Sequence, residues 1–260
     1  MNYLIINGSP RRQNTWKIVE RIKDTLSDND TSANFWEVDL MKEDIPLCMG
    51  CFSCFMNGED SCPHADKVQP IVEMMKKCDG LIITSPVYAL NVTALIKNFI
   101  DHLAYFFHRP YFFNKKAIVV TTTAGAGAKD AGKYLDETLR HFGYNKRYKL
   151  CFVNSYDARG KLPFKVREEI DKQTLKFYDD IKEDRLYSPS FKALFYYNMW
   201  RSMAYNGHVK ADQNYWVENN MMDSEFHPDI PCSGLKKLPF KIFYKIMLMF
   251  LSQNKVEAST

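Results

Sequence analysis

No uninterrupted apolar run in the chain approaches the roughly 18 to 20 residues that cross a bilayer, which sets a transmembrane protein aside. Charge of one sign is also missing in bulk. Lys and Arg number 35 against 31 Asp and Glu, a net charge of +4. That is too little to argue for nucleic acid, and no dense basic stripe occurs outside the carboxyl-terminal segment. The amino terminus runs straight into a strand-like stretch, so no secretory signal is expected and the expected compartment is the cytoplasm. Two nucleotide signatures are absent from the first glycine-bearing loop: the GxxxxGK[ST] of nucleoside-triphosphate sites and the GxGxxG of dinucleotide folds. What remains is 260 residues, 46% hydrophobic and 25% charged. That suffices for one α/β domain with a substantial core, plus an appendage.

The stretch Asn7-Gly8-Ser9-Pro10-Arg11-Arg12-Gln13-Asn14-Thr15 organises the rest. It follows the apolar run Tyr3–Ile6, which reads as a buried parallel strand. It precedes Trp16, Ile18, Val19 and Ile22, spaced as one face of a helix. A polar turn between a strand and a helix start presents free backbone N–H groups and the positive end of the helix dipole to an anion. Gly8 allows close backbone approach, Ser9, Asn14 and Thr15 supply donors, and Arg11 and Arg12 supply charge. A site for one phosphate and an ordinary Ser/Thr-capped turn both fit this stretch taken alone.

Further along, 34–40 alternates as a second strand and 80–84 is a continuous apolar third strand. The run 116–122 reads as a fourth strand and 148–154 as a fifth. Helical spacing appears at 68–78, 93–106, 131–142 and 168–181. Strands alternating with helices imply a three-layer, doubly wound parallel sheet of five strands, with right-handed crossovers. The loops 7–15, 85–91 and 122–128 all follow strands. They therefore share the carboxyl edge of the sheet, where ligands of open α/β sheets bind.

With those loops in hand, the chain resembles the flavodoxin-like, NAD(P)H-dependent FMN reductase family, on the branch that holds the iron–sulfur flavoproteins. The matching stretches are Gly8-Ser9-Pro10-Arg11 with Asn14-Thr15, Ser85-Pro86-Val87-Tyr88, Lys97-Asn98-Phe99-Ile100-Asp101 and the set Cys48, Cys51, Cys54, Cys62. The resemblance covers about residues 1–182 and implies a flavodoxin-like FMN-binding domain over 1–184, its cysteine-rich loop at 46–66. It implies that Ser9, Arg11, Asn14 and Thr15 hold the FMN phosphate. Pro86, Val87, Tyr88, Leu90 and Asn91 would lie along the isoalloxazine, and Thr122, Thr123, Ala124 and Gly125 would touch its other side. Gly125 and Gly127 suit close backbone approach, and Tyr88 suits stacking or a place in the core. The implied activity is hydride transfer from NAD(P)H to FMN and onward to a quinone, a flavin, a nitro or aromatic compound, or a protein. The flavin carries that chemistry, so no catalytic acid, base or nucleophile is expected. A non-enzymatic electron-transfer protein relaying single electrons is the alternative. Family members suggest a homodimer or tetramer.

The spacing Cys48-x2-Cys51-x2-Cys54-x7-Cys62 places four of the seven cysteines together. In a chain with no export signal this points to metal or redox chemistry before disulfides. A [4Fe–4S] cluster needs four cysteines, some of them compactly spaced. Structural or redox-active thiols are the equal alternative, and zinc, with His64 as a substitute ligand, is the third. Cys78, Cys151 and Cys232 stand alone, the first two as expected core residues.

From 185 to 260 the alternation stops, and a helical extension is expected. Phe191–Tyr205 is aromatic with helical spacing, and Asp212-x-x-Tyr215-Trp216 resembles a signature of some relatives. Stretch 235–251 sets Lys236, Lys237, Lys241 and Lys245 among apolar residues. That character permits contact with a membrane surface, but burial against a partner subunit or across the flavin domain is the favoured expectation. Either way it is expected to cover the flavin edge.

Overall fold

The computed structural model describes residues 1–153, 156 and 160–257, the last helix from residue 252 onward by its backbone only. Five strands, β1 (Asn2–Asn7), β2 (Asn34–Asp39), β3 (Gly80–Pro86), β4 (Lys116–Thr123) and β5 (Lys146–Val153), pair in the order β2-β1-β3-β4-β5. Every pairing is parallel. The fifth strand starts two residues before the expected Tyr148, and the expected terminal Asn154 lies outside the described residues.

Side chains of the central strands alternate between two cores, as a strand's period of two requires. Leu4, Ile6, Leu81, Ile83, Ala117 and Val119 face one side, covered by α3 (Ala65–Lys77), α4 (Ala94–His102) and α6 (Ala128–His141). Tyr3, Ile5, Ile82, Ile118 and Val120 face the other, covered by α1 (Asn14–Asn29) and α7 (Phe164–Lys182). Both faces are dry, which is why these strands read as unbroken apolar runs.

Two expectations change in detail. The cysteine segment contains a short helix, α2 (Ser53–Met56), and a 3₁₀ turn at Glu59–Ser61. The helix expected over 93–106 breaks after α4 and resumes as α5 (Tyr105–His108). Leu103, Tyr105 and Phe106 are all buried, so the apolar periodicity runs through the break and conceals it.

Beyond α7 lie α8 (Phe191–Tyr205), α9 (Lys210–Glu218) and α10 (Gly234–Glu257). Their core is Leu194, Tyr197, Ala204, Trp216, Met221 and Phe226, closed by Phe113 from the segment before β4. Trp216 is fully buried, its ring 4.7 Å from Tyr197. α10 packs on α8 rather than across the sheet domain, with Phe240 against Phe191 and Phe243 against Phe195. Within the single chain one face of α10 is therefore covered by α8, not by the sheet domain, and the other is exposed.

Candidate functional site

The sheet order reverses between β1 and β3, and the loops that follow β1, β3 and β4 meet there in one cavity of about 510 Å³. That volume lies within the range of cofactor and drug-sized ligand sites. Ser9, Arg11, Asn14, Thr15, Pro86, Val87, Tyr88, Thr122, Thr123 and Ala124 line it, together with Gln13 and Tyr156. Leu90, Asn91 and Gly125 do not. Asn91 instead closes a tight turn, exchanging backbone hydrogen bonds with Tyr88 at 2.9 and 3.0 Å. The two residues inside that turn, Ala89 and Leu90, have φ of 47° and 66°, a left-handed conformation that L residues other than glycine resist.

The 7–15 turn is held from behind. Asn7 Oδ1 accepts from Ser9 N at 3.1 Å and from Thr84 Oγ1 at 3.2 Å. Gly8 N donates to Thr84 O, and Thr93 Oγ1 donates to Gly8 O at 2.7 Å. A Cβ on Gly8 would stand 2.0 Å from Ile96 Cγ1. Glycine is required there by α4 packing behind the turn, not by approach of a ligand.

At the front, α1 begins without a side-chain cap. Lys17 N is the first amide of the helix to find a backbone acceptor at its start; among the described residues the earlier amides have no partner, and Asn14 and Thr15 line the cavity. The ordinary capped turn is therefore not what forms. The two arginines separate. Arg12 spends its charge on Glu37 at 2.7 Å and Asp39 at 2.9 Å, with its guanidinium 3.8 Å above the Trp16 ring. Burial alone would raise Asp39, but hydrogen bonds from Asn7, Arg12 and Lys42 outweigh it and hold its carboxyl below the ordinary value. Arg11 has no ion-pair partner among the described residues and lines the cavity. Thr15 Oγ1 meets Thr122 Oγ1 at 2.6 Å, joining the β1 and β4 loops across the floor. Uncapped amides, a guanidinium with no ion-pair partner among the described residues, and a cleft between the 86–88 and 122–124 stretches fit a phosphate-bearing, flat cofactor such as FMN.

A second cavity, of about 390 Å³, is lined by Cys48, Cys51, Cys54 and Cys62 together with His64 and His102. All four thiols are free. Burial first, then Cys62, push the Cys54 thiol up, while hydrogen bonding to Ser53 pulls the exposed Cys51 thiol down. Among the described residues, no three His, Cys, Asp or Glu side chains converge as a single-ion site. The four thiols line one chamber, a donor set of the kind and number that a [4Fe–4S] cluster takes.

That loop is pinned by residues whose sequence motif carried no assigned task. Asn98 accepts from Cys48 N at 2.9 Å and donates to Ile45 O and Pro46 O. His102 bonds Pro46 O through Nε2 at 2.8 Å, leaving Nδ1 3.8 Å from Cys62 Sγ. Arg109, almost fully buried, donates to Cys54 O at 2.6 Å and Phe55 O at 3.4 Å. Arg109 is in turn gripped by Asp212 at 3.2 Å, which also bonds His108 at 2.8 Å. Tyr215 OH donates to Pro110 O at 2.6 Å, and Trp216 Nε1 to His108 O at 2.9 Å. Each named residue of the Asp-x-x-Tyr-Trp signature thus clamps the 108–110 segment that holds the cysteine loop. Tyr156 was equally invisible as a site residue. Its one signal was that the loop after β5 shares the carboxyl edge.

An iron–sulfur flavoprotein of Archaeoglobus fulgidus is 28% identical over 225 residues, 84% of this chain and 98% of that protein. An iron–sulfur flavoprotein of Clostridioides difficile is 28% identical over 189 residues, 70% of this chain and 80% of that one. Among solved structures, an apo NADH:FMN oxidoreductase superposes with a TM-score of 0.53 at 20% identity, over 72% of this chain and 91% of that one, a likeness of fold. Residues 1–150, which carry the three converging loops and the four thiols, match the NADPH-dependent FMN reductase family, and the chain belongs to it.

Proposed function

We propose that the FMN of this NAD(P)H-dependent oxidoreductase sits in the cavity at the carboxyl edge of the sheet, its phosphate on the 9–15 turn. Support comes above all from the convergence of the β1, β3 and β4 loops on one cleft with an uncapped helix start and an Arg11 that has no ion-pair partner among the described residues. Asn14, Thr15 and the first amides of α1 donate to the phosphate, Ser9, whose hydroxyl donates to Arg11 O at 2.6 Å, shapes the turn beneath it, and Arg11 neutralises it. Pro86, Val87 and Tyr88 form one wall for the ring, and Thr122, Thr123 and Ala124 the other. FMN, when bound, supplies the hydride and electron chemistry. The chain's part is to bind, orient and leave one ring face open to the nicotinamide and then to a small acceptor such as a quinone, a flavin or a nitroaromatic compound. A homodimer or tetramer belongs to the same reading.

The thiol chamber favours a second reading, an electron-transfer iron–sulfur flavoprotein in which Cys48, Cys51, Cys54 and Cys62 hold a [4Fe–4S] cluster. α4 supports it by linking the two sites: Thr93 caps its start beside the flavin loops, and His102 ends it at the thiols. Nine residues make the helix only about 13 Å long.

A visible spectrum of anaerobically purified protein, with iron and sulfide assays and NAD(P)H oxidation rates, tests both. Bound FMN with steady turnover on added quinone supports the first. Stoichiometric iron and sulfide without turnover supports the second. Protein that takes up no FMN removes both. Within the first reading, Arg11→Ala lowers FMN affinity by about ten- to a hundredfold, as expected for one charged hydrogen-bond partner, measured by quenching of flavin fluorescence.

A further inference from the structure

α10 carries more apolar surface than its packing uses. Phe240, Phe243 and Tyr244 face α8, where the Arg201 guanidinium lies 3.6 Å from the Tyr244 ring. Leu235, Leu238, Ile242, Ile246, Met249 and Phe250 lie on another face, each 54 to 86% exposed. Their three- and four-residue spacing makes one continuous stripe along the helix. Lys237, Lys241 and Lys245 line one border of that stripe. Residues 234–257 hold five Lys and one Glu, so 5 − 1 = +4, which equals the net charge of the whole protein. The other residues balance to zero, and the excess positive charge of the molecule sits on this one helix.

We propose that α10 is a docking surface for an anionic lipid bilayer, lying in the plane of the membrane. The stripe enters the headgroup boundary while the lysines extend their charged ends to lipid phosphates. No helix among the described residues is long and apolar enough to cross a membrane, which fits a helix that lies on it. Charge selects lipid over a second copy of the chain. Pairing two α10 stripes would bring two basic helices together, with Glu257 the only carboxylate on each.

The test is sedimentation of the full chain with phosphatidylcholine vesicles, with and without phosphatidylglycerol, at low and high salt. The protein is expected to pellet with the anionic vesicles alone and to be released by salt. Lys241→Gln with Lys245→Gln lowers partitioning by about twenty-five-fold, at roughly fivefold per lysine near an anionic surface. Ile242→Asp with Ile246→Asp abolishes binding. All four positions are exposed, and unchanged far-ultraviolet circular dichroism and an unchanged thermal midpoint verify the folds. Failure of the parent to bind anionic vesicles overturns the proposal, as does binding indifferent to either pair. A dimer broken by the Asp pair, with no vesicle binding, assigns the stripe to a second copy. None of these outcomes depends on FMN content.

Discussion

Arg11 and Arg12 are neighbours in the chain and opposites in the structure. Arg12 is tied to Glu37 and Asp39 and anchors the turn to β2, so its replacement acts on the turn rather than on a ligand. Arg11 instead lines the cavity, with no ion-pair partner among the described residues. A second contrast lies in the 88–91 turn, where two non-glycine residues sit in left-handed geometry beside the cavity. Such strain is commonly kept where a loop must present a set shape to a ligand. Ala89→Gly is expected to raise stability by roughly 0.5–1 kcal/mol, strain relief exceeding the added freedom of the unfolded chain. Urea denaturation reads that gain, and a parallel flavin titration reports whether the looser turn weakens FMN binding.

Among elements, the firmest dependence is that of the cysteine loop on α9. Asp212→Asn keeps the shape but removes the nearer of the two carboxylates facing buried Arg109, Glu59 at 3.5 Å being the other, and is expected to cost about 2 kcal/mol. Because Arg109 holds the Cys54 and Phe55 carbonyls, the variant should also alkylate faster at Cys54 than at Cys151, an effect global stability alone would not localise. The contact of α6 with α8 brings a pH dependence. His141 lies between Phe107 and Tyr196, its Nδ1 buried and unpartnered. Burial pulls its pKa down to about 4, with Glu137 opposing and Arg140 and Lys192 assisting. The unfolded chain takes up a proton below about pH 6.5 that the folded chain refuses until about pH 4. Stability is therefore full above that window and falls across it, by no more than about 3 kcal/mol. Comparing urea midpoints at pH 7.5 and pH 5 checks this, and His141→Phe is expected to flatten the difference.

For the molecule as a whole, the five strands and their carboxyl-edge loops were legible because parallel strands buried on both faces leave unbroken apolar runs such as 80–84 and 116–122. The 7–15 turn was legible for the same local reason, a strand, a polar turn and a helix start in succession. What did not show was whatever depends on distant partners. Nothing local separates Arg11 from Arg12; Asp39, far along the chain, does. Tyr156 reaches the cavity only because β5 places its loop on the shared edge. The break after His102 is masked by buried residues on both sides of it. The unequal faces of α10 were hidden because a helix apolar over most of its circumference does not announce which side finds a neighbour.

One nine-residue helix has a consequence for how the protein can change. Thr93 ties the head of α4 to the Gly8 carbonyl, while Asn98 and His102 fasten its middle and tail to the thiol-bearing loop. A short rod anchored in two chambers transmits any displacement of one to the other. Substitutions that reshape the cavity at the sheet edge will therefore drag on the sulfur-rich chamber, and the two must be remodelled together.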